Sequence, residues 1–245
     1  MTAAPFIIDE PDRSDQGERL RLSQGEMIRL LTAARSRPHV LVFCMIGLNT
    51  LARPDAILDL SPFQVDIDAR LIALNPRGRR QTKKYRPTLP ITDTLLPFVR
   101  VRDVERFVNW HGQPMKSIKK AFAATVKDAG LPKEVTPYCL RHTMATELRR
   151  RGVSLWEVEG FLGHRIGSRV TETYAKFGPD HLLAGVQAID AYFTDLRAKL
   201  DGNAPWSNIN CVPLACQLPD ETSRKSLIRM VGVTGIEPVT PTMST

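Results

Sequence analysis

The sequence predicts an α+β fold that is mainly α, with a small antiparallel β-sheet. Apolar residues recur at helical spacing in segments 23–60 and 118–199, as they do on the buried face of an amphipathic helix. Residues 63–91 instead contain short apolar runs separated by Asn, Pro and Gly. Runs of that kind are typical of short strands joined by turns.

The first predicted helix starts at Ser23. Ser23 and Glu26 have the spacing of a capping box, and apolar residues follow at helical spacing until Pro38 ends the pattern: Met27, Leu30, Leu31 and Ala34. The run 40–48 is apolar on all sides, which predicts a buried helix. Arg53-Pro54 is predicted to start a further short helix, because proline is favoured in the first turn.

Three short segments form the predicted sheet: Phe63–Ile67, Leu71–Leu74 and Thr88–Ile91. The basic hairpin, residues 77–86, lies between the second and third, and six of its ten residues are basic while none is acidic. A solvated turn is one interpretation of such a run. We favour phosphate binding, because cations neutralise phosphates and release counterions. The predicted DNA-binding residues are Arg77, Arg79, Arg80, Lys84 and Arg86.

The chain divides into three predicted parts. Residues 1–22 contain five acidic residues without a helical period, which indicates an acidic arm or linker. Residues 23–200 are predicted to form one folded domain. Residues 201–245 mix Pro, Ser, Thr and Asn without a clear period, and we expect an irregular, flexible tail there.

Composition narrows the class of protein. The 245 residues include 34 Lys and Arg against 26 Asp and Glu, a formal net charge of +8, which favours a polyanionic partner such as nucleic acid. The longest apolar run is too short to span a membrane, and no secretory signal opens the chain. We therefore expect a cytoplasmic protein without a membrane partner. The four cysteines lack the spacing of metal ligands, so no metal site is predicted.

Four short motifs follow one another along the chain. Arg53 follows Asn49-Thr50-Leu51-Ala52, a lysine pair lies in Gln81-Thr82-Lys83-Lys84, residues 138–142 have the sequence Y-C-L-R-H, and Leu162-Gly163-His164 precedes Tyr174. In this order the motifs resemble those of the tyrosine recombinase (phage integrase) family. The resemblance implies the catalytic-domain fold of these DNA breaking-rejoining enzymes. It also implies six catalytic residues: Arg53, Lys83, Tyr138, Arg141, His164 and Tyr174.

The resemblance further implies a reaction. A site-specific recombinase of this family cleaves and rejoins double-stranded DNA at attachment sites, without metal, ATP or another cofactor. Tyr174 would attack phosphorus, form a 3′-phosphotyrosyl bond and release a 5′-hydroxyl. Arg53 and Arg141 would stabilise the charge on the non-bridging oxygens by bidentate hydrogen bonds. The leaving oxygen needs a proton donor, for which we choose Lys83, with Lys84 as the alternative.

Several features depart from the family pattern. Tyr138 occupies a position where histidine is usual, and a phenol with a pKa of about 10 is a poor general base near neutral pH. His164, expected to hydrogen-bond a non-bridging oxygen or the leaving group, is one residue further from Tyr174 than usual. Ala56 occupies a position that is commonly acidic. Only 22 residues precede Ser23, so the N-terminal core-binding domain of the family is expected to be absent and activity to be impaired.

Other functions remain open at this stage. A catalytically impaired remnant would still bind DNA, and an enzyme similar to type IB topoisomerases would relax supercoils with the same chemistry. A helical protein with a basic patch and no role on DNA is the purely structural alternative. The family resemblance also implies a multimeric synapse, in which other protomers of this chain bind the same DNA.

Overall fold

The computed structural model describes residues 20–82, 84–101, 103–164 and 178–200. Within these ranges the chain forms eight α-helices and two small antiparallel sheets, which confirms the predicted fold class. The helices are α1 (Gln24–Ala34), α2 (Pro38–Thr50), α3 (Pro54–Leu58), α4 (Leu96–Val99), α5 (Lys119–Asp128), α6 (Pro137–Arg150), α7 (Leu155–Leu162) and α8 (Leu183–Ala198). The strands are β1 (Val65–Asp66), β2 (Leu71–Ala73), β3 (Thr88–Pro90), β4 (Asn109–Trp110) and β5 (Gln113–Pro114).

α2 lies at the centre of the fold. Its residues 39–50 are all buried, as the apolar run predicted, and the helix contacts α1, α3, α4, α5, α6 and α8. Gly47 lets two neighbours approach closely, because a Cβ there would lie 3.2 Å from Ile57 Cδ1 and 3.5 Å from Leu140 Cδ1. Ile57 belongs to α3 and Leu140 to α6, so α2 brings these two helices together.

The predicted capping box of α1 is present. Ser23 Oγ accepts a hydrogen bond from the backbone N–H of Glu26 at 3.3 Å, and the Ser23 N–H donates to Glu26 Oε2 at 2.8 Å. These bonds satisfy backbone donors that a helix otherwise leaves without partners. Leu22, just before the helix, is buried and donates its N–H to Thr143 Oγ1 of α6 at 2.9 Å. α1 is thereby joined to α6.

The three-stranded sheet has the order β1-β2-β3 and is antiparallel throughout. Ile72 pairs with Val65 on one side and Leu89 on the other, and all three side chains are buried. The prediction that the first strand begins at Phe63 is wrong. Phe63 lies in a 3-10 turn, Pro62–Gln64, and is 88% exposed. Proline in the first position and the Gln64 side chain, which accepts from the backbone N–H of Ser61, stabilise the turn.

The region between the sheet and α5 contains elements that the sequence interpretation left unassigned. α4 follows β3, and β4 and β5 form a two-stranded hairpin. His111 and Gly112 at its tip have φ values of 49° and 80°, the left-handed conformation that a tight hairpin turn requires at both central residues. Asn109 stabilises the tip by accepting from the Gly112 N–H at 3.0 Å.

Two further observations concern the class of protein. No helix in the described ranges is long and apolar enough to cross a membrane. Cys44 and Cys139 are buried free thiols, and burial raises the pKa of the Cys44 thiol above its usual range. A buried thiol of this kind packs as a small apolar side chain and stays protonated.

Candidate active site

The two predicted catalytic arginines come from the α2–α3 turn and from α6. α2 ends at Thr50, and the next residue, Leu51, has a φ of 50°, which is uncommon for a residue other than glycine. This turn places Arg53 as the residue that precedes α3. The Leu51 carbonyl accepts a hydrogen bond from Arg141 Nη1 at 2.5 Å, and the Leu162 carbonyl accepts from Arg141 Nη2 at 2.7 Å. Arg141 therefore connects the C-terminal ends of α2 and α7.

Arg141 is a buried cation. The residue is only 7% exposed, and burial, reinforced by the positive charge of Arg53, lowers its pKa to about 10. The guanidinium still carries its charge near neutral pH, because that pKa is well above 7. The two backbone carbonyls use two of its five N–H donors and fix the plane of the group. Glu147, on the same helix, forms its ion pairs with Arg150 and Arg151.

Arg53 is joined to the basic hairpin. Its Nη1 donates to the backbone carbonyl of Tyr85 at 3.2 Å, and its side chain makes no capping bond to α3. Arg53 is partly buried, and its positive charge acts on both Arg141 and His164. A single side chain thus connects the hairpin to the other charged groups of the site.

His164 follows the end of α7. Gly163 ends that helix with a φ of 60°, and the His164 N–H donates to the Glu159 carbonyl at 3.0 Å, as in a Schellman-type cap. The imidazole lies at an exposed position. Its pKa is lowered by partial desolvation and then by the charges of Arg141 and Arg53. His164 is therefore held near both guanidiniums and is neutral around pH 7.

Tyr138 lies in the first turn of α6, one turn before Arg141. It is 46% exposed, and its phenol acts on Arg141 by raising the pKa of the guanidinium. Tyr138 is therefore near Arg141 and open to solvent, where it is accessible to a bound molecule. Two predicted catalytic residues, Lys83 and Tyr174, lie outside the described residues.

The basic hairpin presents its cations unequally. Arg77, Arg80 and Lys84 are exposed. Arg79 Nη1 donates to Asn75 Oδ1 at 2.7 Å. Arg86 has a side chain only 11% exposed, and its Nη1 lies 2.8 Å from a carboxylate oxygen of Asp59. Three of the five predicted DNA-binding side chains therefore face solvent, and Arg79 and Arg86 are bonded within the protein.

Some of these groups line a cavity of about 210 Å³. Its lining includes both arginines predicted to be catalytic, three cations of the hairpin and one carboxylate: Arg53, Arg141, Arg79, Lys84, Arg86 and Asp55. Five cations around one concave surface make a site for an anion, because their charges add in a region partly shielded from water. In the described part of the chain, no group of three or more His, Cys, Asp or Glu side chains is arranged to hold a metal ion.

Sequence reasoning missed the groups that hold the site together. The carbonyls of Leu51, Leu162 and Tyr85 position the two arginines, and a backbone carbonyl has no signature in the sequence. Asp59, which binds Arg86, was also missed. In the sequence, Asp59 is marked only by its position one residue after the end of α3. That position indicates a partner for Arg86 only when the hairpin is known to lie beside α3.

Comparison with known proteins shows the family of the chain. The sequence model of the phage integrase family matches residues 20–180, which is most of the described chain. The chain belongs to the phage integrase family. This confirms the resemblance inferred from the four motifs, and residues 53, 141 and 164 all lie within the matched range.

Individual relatives within the family cover parts of the chain. Tyrosine recombinase XerD of Lacticaseibacillus casei is 39% identical over 80 residues, which are 32% of this chain and 27% of that protein. Tyrosine recombinase XerC of Listeria monocytogenes is 30% identical over 132 residues, 48% of this chain and 43% of that protein. The chain thus matches less than half the length of these curated relatives.

Solved structures of integrases share the fold. The integrase of mycobacterium phage Brujita superposes with a TM-score of 0.55 at 20% identity, covering 75% of this chain and 62% of that one. The Tn1549 transposon integrase, solved in complex with circular intermediate DNA, has a TM-score of 0.52 at 18% identity, covering 71% of this chain and 68% of that one. At these identities the likeness concerns the fold, and it confirms the tyrosine recombinase catalytic-domain fold.

Proposed function

We propose that this domain cleaves and rejoins DNA strands as a site-specific tyrosine recombinase, with Tyr174 as the nucleophile. The observation that carries the proposal is that Arg53 and Arg141 line one basic cavity and that both of their charges act on His164. A phosphodiester has two non-bridging oxygens, and each guanidinium offers a planar fork of donors that fits such oxygens. Membership of the phage integrase family supports the same reaction.

The proposed reaction proceeds by transesterification. The Tyr174 phenol loses its proton, its oxygen attacks phosphorus, and the bond from phosphorus to the 5′-oxygen breaks. Lys83, or Lys84 beside it, gives a proton to the departing 5′-oxygen, so the products are a 3′-phosphotyrosyl ester and a 5′-hydroxyl. Rejoining reverses these steps with a 5′-hydroxyl from a partner strand. The energy of the phosphodiester bond is kept in the ester, so no ATP is required.

The arginines supply the charge that this reaction needs. Negative charge grows on the non-bridging oxygens as the fifth bond to phosphorus forms, and pre-positioned donors stabilise it without reorganisation. Arg141 is suited to this role because two backbone carbonyls already fix its orientation. We assign the same role to Arg53 and a hydrogen bond to a non-bridging or leaving oxygen to His164. Two guanidiniums supply this stabilisation, so the proposed mechanism uses no metal cofactor.

The partners in this proposal are double-stranded DNA and further copies of the chain. The exposed cations Arg77, Arg80 and Lys84 would contact phosphates beside the cleaved bond, which fixes register without reading sequence. Strand exchange joins ends from different duplexes, so at least two protomers must bind together on DNA. Tyr138 would bond the phosphate as a hydrogen-bond donor, in place of the usual histidine.

The test begins with finding a bound sequence. Selection from a randomised duplex library by the full chain, at several salt concentrations, yields candidate sites. The selected site is rebuilt as a nicked suicide duplex, in which cleavage releases a short strand and prevents rejoining. We expect a covalent protein–DNA band on a denaturing gel, sensitive to protease and absent with Tyr174→Phe.

Each other outcome contradicts the proposal in a different way. Salt-dependent binding without a covalent band on the selected site would show a DNA-binding remnant of an integrase. Relaxation of plasmids without sequence preference would show a topoisomerase-like enzyme. Failure to bind DNA at any salt concentration would exclude the whole class of function.

A further inference from the structure

The backbone carbonyl of Tyr85 lies close to two residues of the site region. Arg53 Nη1 donates to this oxygen at 3.2 Å. The second residue is Gly163, where a Cβ would fall 2.6 Å from the Tyr85 oxygen and 2.9 Å from Pro87 Cδ. Carbon and oxygen atoms that are not bonded do not approach to 2.6 Å without displacement. The hairpin backbone therefore rests directly on the glycine that ends α7.

Backbone conformation alone does not account for glycine at this position. Gly163 has a φ of 60°, and Gly130 has nearly the same φ of 62° with nothing within 4 Å of its Cβ position. Both residues have the left-handed conformation that glycine adopts without strain. Of these two glycines, only Gly163 has a neighbour at short distance from its Cβ position. Its missing side chain is what allows the hairpin to approach.

The contact fixes the segment that carries the candidate general acid. Tyr85 directly follows Lys84 and is two residues after Lys83, and Lys84 lines the cavity together with Arg53 and Arg141. We propose that Gly163 is a positioning residue, which together with Arg53 seats the Tyr85 carbonyl and thereby places the hairpin lysine at the leaving 5′-oxygen. This inference rests on the proposed strand cleavage and assigns to Gly163 a role in one of its proton transfers.

The expected size of the effect follows from the geometry. A Cβ at position 163 must push the hairpin away, since the oxygen it meets belongs to the backbone and cannot rotate aside. A displacement of about 1 Å between a catalytic group and its substrate lowers a rate about a hundredfold. Arg141 and His164 approach the phosphate from α6 and from the end of α7, so a shift of the hairpin affects the general acid more than these groups.

The experiment compares two leaving groups in the Gly163→Ala variant. The first suicide duplex has the natural 5′-oxygen at the cleaved bond, and the second has a 5′-bridging sulfur. A thiolate leaves without receiving a proton because thiols are far more acidic than alcohols. We expect Gly163→Ala to cleave the oxygen duplex about a hundredfold more slowly than wild type, and to cleave the sulfur duplex at close to the wild-type rate.

The controls separate this effect from general damage. Gly130→Ala introduces the same strain at the same φ without a contact, and we expect it to leave both rates close to wild type. Pro87→Ala removes the Cδ atom that lies 2.9 Å from the Cβ position of Gly163 and should loosen the hairpin from its own side. Its smaller defect should also be restored by sulfur. Lys83→Ala and Lys84→Ala show what loss of the general acid does to the two rates. The lysine whose variant is slow on the oxygen duplex and close to wild type on the sulfur duplex is the general acid.

The outcomes for this inference and for the proposed function are distinct. If wild type cleaves neither duplex, strand cleavage itself is excluded. If wild type cleaves and Gly163→Ala is equally slow on oxygen and on sulfur, Gly163 supports the arginines or the fold, and the positioning role is wrong. The role is also wrong if Gly163→Ala cleaves the oxygen duplex normally. A Gly163→Ala protein that does not fold leaves the decision to Pro87→Ala. There, a normal rate on the oxygen duplex, or a defect that sulfur does not restore, contradicts the inference.

Discussion

Arg141 keeps a positive charge in a position that is almost closed to water. Burying an ion is unfavourable unless hydrogen bonds replace its hydration, and the carbonyls of Leu51 and Leu162 do so at 2.5 and 2.7 Å. The same bonds orient the guanidinium before any substrate arrives. The bonds that make burial of the charge tolerable therefore also preorganise the guanidinium.

Replacing Arg141 by lysine tests whether geometry matters as well as charge. Lysine keeps the charge but has no planar fork and cannot reach both carbonyls while facing a phosphate. We expect Arg141→Lys to cleave the suicide duplex about 10² to 10³ times more slowly, while DNA affinity changes little. Arg149→Lys, at an exposed position of the same helix, is the matched control and should cleave normally. Equal rates for the two variants would contradict the assigned role.

Tyr138 offers a second test at single-residue scale. A histidine there has a pKa near 6.5 and exchanges protons readily at neutral pH, whereas a phenol does not. We expect Tyr138→His to raise the cleavage rate about tenfold, and Tyr138→Phe to lower it because a hydrogen-bond donor is lost. Single-turnover cleavage rates measure both. If neither substitution changes the rate, the 46%-exposed phenol does not contact the phosphate.

At the scale of elements, the basic hairpin divides into outward and inward cations. Arg80 is exposed, whereas Arg86 is held by Asp59 at 2.8 Å. Arg80→Ala should reduce the slope of log affinity against log salt by about one, because one phosphate contact is lost. Arg86→Ala should leave that slope near wild type and lower the free energy of unfolding by about 1 kcal/mol. Binding titrations at several salt concentrations measure the slope, and urea denaturation measures the free energy of unfolding. An equal reduction of the slope in both variants would contradict the division into outward and inward cations.

The elements that could be predicted from sequence are those with strong local signals. The capping box at Ser23 and the apolar run 40–48 determine α1 and α2, and the structure confirms both. Phe63 was misassigned to a strand because Pro62 and Gln64 stabilise a turn whose bonds are invisible in an apolar pattern. The β4–β5 hairpin was missed because its turn residues, His111 and Gly112, are not a common hairpin pair.

The site could be predicted as a set of side chains but not as an arrangement. Motif order identified Arg53, Arg141 and His164, and the structure brings these three together. The contacts that align them run through backbone atoms of distant segments, such as the Tyr85 carbonyl between Arg53 and Gly163. Such contacts depend on how helices and hairpin pack, and packing is a property of the whole chain.

For the whole molecule, the buried His39 makes stability sensitive to mild acid. His39 in α2 is 4% exposed and stacks edge-on against Trp110 with ring centroids 4.9 Å apart. Burial lowers its pKa, and the charges of Arg37 and His111 lower it further. The unfolded chain therefore binds a proton more readily than the folded one. The contribution of neutral His39 to the free energy of unfolding is therefore fully present above a pH of about 6.5, the pKa of histidine in the unfolded chain. It decreases as the pH falls below that value.

This linkage predicts how the urea midpoint varies with pH. We expect the midpoint to fall between pH 7.5 and pH 5.5, and to fall less in His39→Phe, which has no proton to bind there. Carboxylates with lowered pKa values, such as those of Glu26 and Glu147, lose their contribution only below a pH of about 4.5. The two effects therefore occupy different pH ranges. An equal fall in wild type and His39→Phe would contradict the assignment.

The measurement that tests the central claim most directly is the identity of the tyrosine joined to DNA. Covalent complexes trapped on the selected suicide duplex are digested with nuclease and trypsin. The peptide that carries a nucleotide joined through its phosphate is then sequenced by mass spectrometry. Strand cleavage by Tyr174 predicts the adduct on peptide 170–176, which contains no other tyrosine. An adduct on peptide 134–141, which contains Tyr138, would contradict the assigned nucleophile. So would a bound duplex that yields no modified peptide.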